Sequence, residues 1–328
     1  MLYRTLGGSS LRISAIGLGC MPFNHGYGTP DESSSIATME KAIELGINFW
    51  DTADFYANTK NEELISKVLR SNRDKIIIAT KFGFIPNERN VIADLDGSPK
   101  YMRQAIEGSL KRLGTDVVDL YYLHRVDPKV PIEESVGAMS DLVKEGKVRY
   151  LGLSEVSTIT LRKANAVHPI SALQSEYSLL SRDVEQDILG TCRELKITFV
   201  PFSPLARGLM ANRVDPTTLL ATDFRKNLPR YSEKYRDNNT QLASAFEELA
   251  DGLGLTPARL ALAWLLAQGD HIVPIPGTKH VAYLEDNARA AEIKLKPEEI
   301  ELIEELIKKF PDTGPRYNEA YQKFVEKD

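Results

Sequence analysis

The chain alternates short, unbroken apolar runs with longer stretches in which apolar residues recur every three or four positions. The runs are SAIGLG, INFW, KIIIAT, DLYYL, VRYLGL, SALQ, ITFVPF and HIVPIP, eight in all. Runs this short, apolar throughout rather than at alternate positions, suit strands buried on both faces, which implies parallel pairing under a cover of helices. The intervening segments supply those helices. DESSSIATMEKAIELG places Ile36, Met39 and Ile43 on one face and stops at Gly46. SPKYMRQAIEGSLKRLG opens with Ser98 as N-cap and Pro99 at the first helical position, and aligns Met102, Ile106, Leu110 and Leu113. TPARLALAWLLAQG repeats the scheme from Thr256 and Pro257 to Gly269. ELISKVL, EESVGAMSDLVKEG, DVEQDILGTCREL and TQLASAFEELADGLG read as further helices.

Eight strand–helix units predict a (β/α)8 TIM barrel occupying residues 1–328 as a single domain. A doubly wound sheet is the rival. GLGCMP at 17–22 begins like a dinucleotide fingerprint, but Pro22 stands where the third glycine belongs. YRTLGGSSLRIS, ahead of the first run, reads as a β-hairpin turning at Gly7-Gly8 and capping the barrel bottom. Residues 211–240 break the rhythm, being charged and weakly periodic. They are expected to form a long loop after the seventh run, either a surface insertion or a cover for a bound ligand lined by Phe224 and Tyr231.

Composition narrows the class. A hydrophobic content of 42%, a charged content of 27% and a net charge of -5 describe a globular chain and argue against a general nucleic-acid or anionic-membrane partner. Two cysteines, Cys20 and Cys192, make neither a disulfide framework nor a zinc module, which points to a reducing compartment. MLYRTLGGSSLRIS lacks the apolar core of a signal peptide, and LALAWLLA is too short to cross a bilayer, so a cytoplasmic location is expected. No histidine pair has metal-ligand spacing, and no metal site is expected.

Barrel active sites lie at the carboxyl ends of the strands. The residues there are Gly19, Cys20 and Met21, then Asp51 with Tyr56 just beyond, Lys81, His124, Ser154 with Glu155, Gln174, Phe202 with Ser203, and the IPGTK segment. Taken singly, each has an ordinary explanation: an N-cap, a solvated lysine, a structural histidine. Asp51, Lys81 and His124 end consecutive runs, however, and Tyr56 shares their rim. Together they make a coherent acid catalyst. A lysine ammonium beside a tyrosine favours the phenolate and lowers the phenol's pKa. An aspartate holds the lysine, and a histidine can donate a hydrogen bond to a carbonyl oxygen. The set can protonate an alkoxide but holds no hydride, so it requires a cofactor.

GINFWDTADFY, ATKFG, YYLHRVDP, YLGLSEVS, LQSEYSLL, FVPFSPLARGLM and PIPGTKHVAYLEDN follow one another in an order that resembles the aldo-keto reductases over nearly the whole chain. The likeness is greatest to the branch of perakine reductase and the yeast-type pyridoxal reductases. It implies that Asp51, Tyr56, Lys81 and His124 are the catalytic tetrad, and that NADPH lies across the barrel mouth. Ser154 and Gln174 would hold the nicotinamide carboxamide, and Phe202 would stack on its ring. Ser203, Leu205 and Arg207 would line the pyrophosphate path. Gly277, Thr278 and Lys279 would approach the adenosine phosphate, with Asp286 and Asn287 near adenine. Cys20 and Met21 complete the expected cofactor wall; Cys20 is otherwise a small packing residue.

Two positions depart from the family pattern. Glu155 stands where many members have asparagine, and is expected to accept from the carboxamide NH2. Tyr283 stands where many have arginine, which leaves Lys279 to carry the NADPH preference and makes NADH use possible. Phe23, Tyr27, Phe84 and Arg125 join Tyr56 and His124 as substrate-pocket candidates. The substrate is a small carbonyl compound of unspecified identity, and the oligomeric state is open. Potassium-channel β subunits share the fold and motifs, so a cofactor-sensing regulatory subunit is the alternative to an enzyme. A barrel hydrolase would leave Lys81 and the GTK segment unexplained.

Overall fold

The computed structural model describes residues 1–88 and 91–326. Its strands and helices run, in chain order, β1 (Tyr3–Thr5), β2 (Arg12–Ser14), β3 (Leu18–Gly19), α1 (Glu32–Glu44), β4 (Phe49–Asp51), α2 (Lys60–Leu69), β5 (Ile77–Phe82), β6 (Phe84–Pro86), β7 (Ile92–Leu95), α3 (Pro99–Leu113) and β8 (Val118–Leu123). They continue with α4 (Ile132–Lys144), β9 (Val148–Ser154), α5 (Thr158–Val167), β10 (Ile170–Glu176), α6 (Ile188–Glu194), β11 (Thr198–Phe202), α7 (Glu233–Gly252), α8 (Pro257–Ala267), α9 (Val281–Arg289), α10 (Pro297–Lys308) and α11 (Glu319–Gln322). Seven strands pair in the order β3-β4-β5-β8-β9-β10-β11, every neighbour parallel.

The eighth run closes this sheet into the TIM barrel without becoming a regular strand. Val273 and Ile275 donate their N–H groups to the Phe199 and Pro201 carbonyls at 2.8 and 3.1 Å. On the other side, Gly17 and Gly19 donate to the Pro274 and Pro276 carbonyls at 2.9 and 3.2 Å. The two prolines have no N–H to return, so that side of the ladder is only half made. Close approach at the seam requires glycine: a Cβ on Gly277 would stand 2.8 Å from the Gly19 carbonyl oxygen.

The strands separate two cores. Inside the barrel, Phe49, Leu120, Tyr122, Val200 and Ile275 pack on one another, and Leu6 and Ile13 of the N-terminal hairpin enter the same cluster. Both hairpin residues are fully buried, a burial worth about 1.5–3 kcal/mol each. β1 and β2 pair antiparallel, and Gly7 donates to Thr198 Oγ1 at 2.7 Å, at the amino end of β11. The hairpin is therefore the bottom cap. The outer faces of the strands pack on the helices, which start where their caps dictate. Asp31, Ser98 and Thr256 accept from Ser34, Tyr101 and Arg259 N–H groups, and Pro99 and Pro257 occupy the first turn.

The irregular segment after β11 is shorter than expected. α7 begins at Glu233, so the last eight residues of the expected 211–240 loop are two helical turns ahead of the TQLASAF stripe. Their charges sit on the helix's outer side, which hid the period; Asn239, Leu242, Ala243, Phe246 and Ala250 are the buried residues of α7. Short 3-10 turns at Phe224–Asn227 and Pro229–Tyr231 fill most of the remainder. Beyond the predicted elements the chain adds the β6–β7 hairpin and the helices α5, α9, α10 and α11.

Candidate active site

The carboxyl ends of the strands surround a cleft of about 940 Å³. Asp51 ends β4, Lys81 lies within β5, His124 follows β8, and Tyr56 stands in the loop before α2. The structure brings all four together. Lys81 Nζ donates to Asp51 Oδ1 at 2.5 Å and to the Thr52 carbonyl at 2.7 Å, and lies 5.2 Å from the centroid of the Tyr56 ring. Gln174 Nε2 donates to the other Asp51 oxygen at 2.7 Å. The Tyr56 and His124 rings meet edge to face, centroids 5.9 Å apart.

Tyr56 is held on a strained turn. Ala57, Asn58 and Thr59 all have positive φ, a conformation costly for residues other than glycine. His25 supports the turn by accepting from the Ala57 N–H at 3.1 Å while its ring stacks on Tyr56. Burial pushes the His25 pKa down to about 4, so it serves as a neutral acceptor.

The electrostatics differ from the expected picture. Burial raises the Tyr56 phenol well above its usual pKa, Asp51 adds to the rise, and Arg125 opposes it. Lys81, paired with Asp51 at contact distance, does not reverse this rise. Burial lowers Lys81 and raises Asp51, each opposed by the other's charge. Burial, with Lys81 and Arg125 nearby, holds His124 well below the ordinary histidine pKa, and its buried Nδ1 has no protein partner. The site thus presents a protonated phenol and a neutral imidazole.

Most of the remaining predicted residues line the cleft, and some are already engaged. Met21, Ser154, Phe202, Ser203, Leu205 and Arg207 follow the wall from β3 to β11, and Gly277, Thr278, Tyr283, Asp286 and Asn287 complete its far end. Lys279 lies there too, its Nζ donating to the Tyr27 carbonyl at 3.0 Å and the Thr29 carbonyl at 2.5 Å. Arg207 pairs with Glu176 at 2.8 Å between the rings of Phe224 and Tyr317. Ser203, Ala206, Arg207 and Gly208 all take positive φ, and the Ala206 and Gly208 N–H groups close this turn on the Ser203 and Leu205 carbonyls, each at 2.9 Å.

Several expectations fail. Cys20 is fully buried in the outer core, where burial raises its thiol pKa well above the usual value, and it does not line the cleft. Phe23 is fully buried in the same core because its 3-10 turn directs it inward, away from the substrate end. Glu155 is absent from the wall: Arg316 binds both its oxygens, at 2.9 and 2.6 Å, and the Glu176 N–H donates to it at 2.8 Å. Its carboxylate is turned from the cofactor side into a joint with the C-terminal segment. Tyr231 is buried, its hydroxyl donating to the Arg207 carbonyl, while Phe224 does line the cleft.

Sequence reading passed over Tyr317, Tyr321 and Phe324, which lean over the cleft from the C-terminal segment. It also passed over Arg213, whose guanidinium lies 5.2 Å from the Tyr283 ring centroid. Only the loose aromatic spacing of RYNEAYQKF hinted at the first group. Among the described residues, no group of His, Cys, Asp and Glu side chains is placed to hold a metal, and no single helix is long and apolar enough to cross a membrane.

A parallel barrel with a buried acid–base pair beneath a phenol at its carboxyl rim defines a TIM-barrel protein whose site is built for small molecules. A sequence model of the aldo/keto reductase family matches residues 15–308, and the chain belongs to that family. It is 42% identical over 321 residues to the "Probable aldo-keto reductase 1" of Glycine max, covering 97% of this chain and 92% of that one. It is also 42% identical over 311 residues to "Aldo-keto reductase yakc" of Schizosaccharomyces pombe, whose name carries NADP(+), covering 93% and 92%. Among solved structures, the glycerol dehydrogenase of Gluconobacter oxydans superposes with a TM-score of 0.86 at 27% identity, over 95% of this chain and 97% of that one. The holo aldo-keto reductase of Bacillus halodurans gives 0.76 at 31%, over 93% and 96%. The family uses a nicotinamide cofactor on small carbonyl compounds, and this chain is an oxidoreductase. The relatives' names are those of reductases and a dehydrogenase, which favours the enzyme over the regulatory-subunit reading.

Proposed function

We propose that this protein reduces aldehydes or ketones to alcohols with NADPH, and that Tyr56 supplies the proton. The observation that carries this reading is the buried Asp51–Lys81 pair directly beneath Tyr56 and beside His124, at one end of a cleft that runs on to Lys279. The cleft suits a dinucleotide. Ser154 and Gln174 stand at its reacting end, Ser203, Leu205 and Arg207 line it midway, and Lys279 offers a cation at the far end. The cofactor, when bound, supplies the hydride.

The chain's own residues manage the proton and the carbonyl. Tyr56, kept protonated by its environment, donates to the oxygen on which charge develops. His124, neutral, keeps one ring N–H free to orient that oxygen. Lys81 sits where its charge can stabilise the phenolate left after transfer, and Asp51, steadied by Gln174, fixes the lysine. The NADP(+) relative supports the cofactor choice, as does Lys279. Cys20 and Cys192, buried and unpaired, suit a cytoplasmic enzyme. A screen of NADPH oxidation over aldehydes, ketones and pyridoxal tests the reading: turnover with at least one class is expected, and none with any carbonyl compound would overturn it.

A further inference from the structure

Among the described residues, four cationic side chains belong to residues more than nine-tenths buried: Arg4, Lys81, Arg125 and Arg230. Arg4 faces Asp270, Lys81 faces Asp51, and Arg230 faces Glu176. Among the described residues, Arg125 faces no carboxylate within ion-pair distance. Its Nη1 donates to the His124 carbonyl at 2.6 Å and to Ser154 Oγ at 2.9 Å, while its Nε is buried with no partner. Both acceptors are neutral, so neither balances the charge.

The nearby carboxylates are committed elsewhere. Of those lining the same cleft, Asp51 is held by Lys81 and Gln174, Asp223 by Arg225, Asp286 by Arg259, and Asp215 by Thr217. A buried guanidinium without a counter-ion is costly, and that cost is relieved when a ligand brings an anion. Arg125 stands on the cleft wall beside His124, at the end where a carbonyl would react.

The walls there are flat and aromatic. The Arg125 guanidinium lies 5.5 Å from the Phe84 ring centroid, and Phe84 packs against Phe55 at 5.3 Å and Phe324 at 6.4 Å. An aromatic slot with one uncompensated guanidinium fits a planar ring bearing a single negative charge. One guanidinium matches a carboxylate in charge and shape, whereas a phosphate dianion calls for a second cation.

We propose that Arg125 is the counter-ion for an anionic group on the substrate, and that the preferred substrates are aromatic aldehydes carrying a carboxylate. This rests on the carbonyl-reductase reading of the site and specifies its substrate class. Arg125 selects the substrate; Tyr56 still supplies the proton.

The test compares the 2-, 3- and 4-carboxybenzaldehydes with their neutral methyl esters, using NADPH, the wild type and the variants Arg125→Gln and Arg125→Lys. The wild type should favour at least one acid over its ester roughly ten- to hundredfold in kcat/KM, the range of a charge-assisted hydrogen bond. Arg125→Gln should erase that ratio, and Arg125→Lys should restore part of it. Calorimetric titration of benzoate and benzamide, with and without NADPH, gives a readout independent of turnover: benzoate should bind the wild type, and Arg125→Gln should abolish the difference between the two probes. Equal kcat/KM for every acid–ester pair, together with equal benzoate and benzamide binding, overturns the proposal. So does an Arg125→Gln variant that weakens NADPH binding yet keeps the acid–ester ratio, which would make the dinucleotide the counter-ion. Absence of NADPH oxidation with acids and esters alike would overturn the aromatic-aldehyde substrate class while the benzoate titration still decides the anion site; the reductase reading itself falls only if the wider carbonyl screen shows no turnover.

Discussion

Lys81 Nζ and Asp51 Oδ1 stand 2.5 Å apart with 0% and 3% of their side chains exposed, so the pair titrates and folds as a unit. Removing one partner leaves the other charged and dry, at a cost of about 3–5 kcal/mol, whereas removing both leaves neither. Lys81→Met and Asp51→Leu should each lower unfolding stability by that amount, and the double variant should recover most of it. Urea unfolding of the four proteins checks this. A double variant as unstable as the sum of the singles would show that the two residues contribute independently.

The raised pKa of Tyr56 sets the direction of a pH dependence. Reduction requires the protonated phenol, which is present below its pKa, so the kcat/KM plateau for carbonyl reduction should extend beyond pH 9. Alcohol oxidation requires the phenolate and should climb with pH, about tenfold per unit, across the same range. Tyr56→Phe should lower reduction by roughly 10² to 10⁴-fold while NADPH still quenches protein fluorescence. Turnover within a fewfold of wild type would remove Tyr56 from the mechanism.

The strand ends were legible because a parallel barrel turns sequence order into spatial order. Once eight apolar runs were recognised, Asp51, Lys81 and His124 had to share a rim. What lay hidden depended on side-chain direction or on long-range pairing. Glu155 follows β9 as a cofactor residue would, but its partner Arg316 lies 161 positions away in a segment with no strong period. Phe23 and Cys20 are next to the site in sequence yet face the outer core, a choice made by backbone angles that composition does not reveal. The 211–240 segment looked irregular because the first turns of α7 carry charges, and their only fully buried residue is Asn239.

Lys279 and Arg213 supply the cations at the far end of the cleft. Lys279 Nζ is held there by the Tyr27 and Thr29 carbonyls, a position fixed before any phosphate arrives. Arg213 stacks on Tyr283, so the irregular segment brings an arginine to the neighbourhood of the tyrosine. Lys279→Ala should raise the Kd for NADPH roughly ten- to hundredfold and that for NADH by much less, the worth of one charge-assisted pair with phosphate. Arg213→Ala should act in the same direction but more weakly, since the side chain is exposed. Fluorescence titration with the two cofactors measures both. Equal weakening of NADPH and NADH would show that neither cation reads the 2′-phosphate.

The last prediction concerns the joint between Glu155 and Arg316. Two charge-assisted bonds fasten the start of the C-terminal segment, and Glu326 fastens its end by accepting from Ser157 N–H at 2.9 Å and Thr160 Oγ1 at 2.8 Å. Both anchors grip the turn between β9 and α5, and Tyr317, Tyr321 and Phe324 line the cleft between them. Glu155→Gln keeps the volume and an acceptor for the Glu176 N–H but removes the charge facing Arg316. Loss of such a pair should raise amide exchange across residues 316–326 roughly ten- to hundredfold. Exchange in β4, β5 and β8 should not change, because the barrel closes without this segment. The carbonyl substrate's KM and the NADPH Kd should both rise, since Phe324 packs against Phe84 at the reacting end while Tyr317 and Tyr321 lie against Arg207 and Phe224 further along the cleft. Arg316→Ala should reproduce both effects, which separates loss of the joint from strain at residue 155, where φ is positive. Unchanged exchange in both variants would mean that the Glu326 anchor alone holds the segment, and that Glu155 has another role.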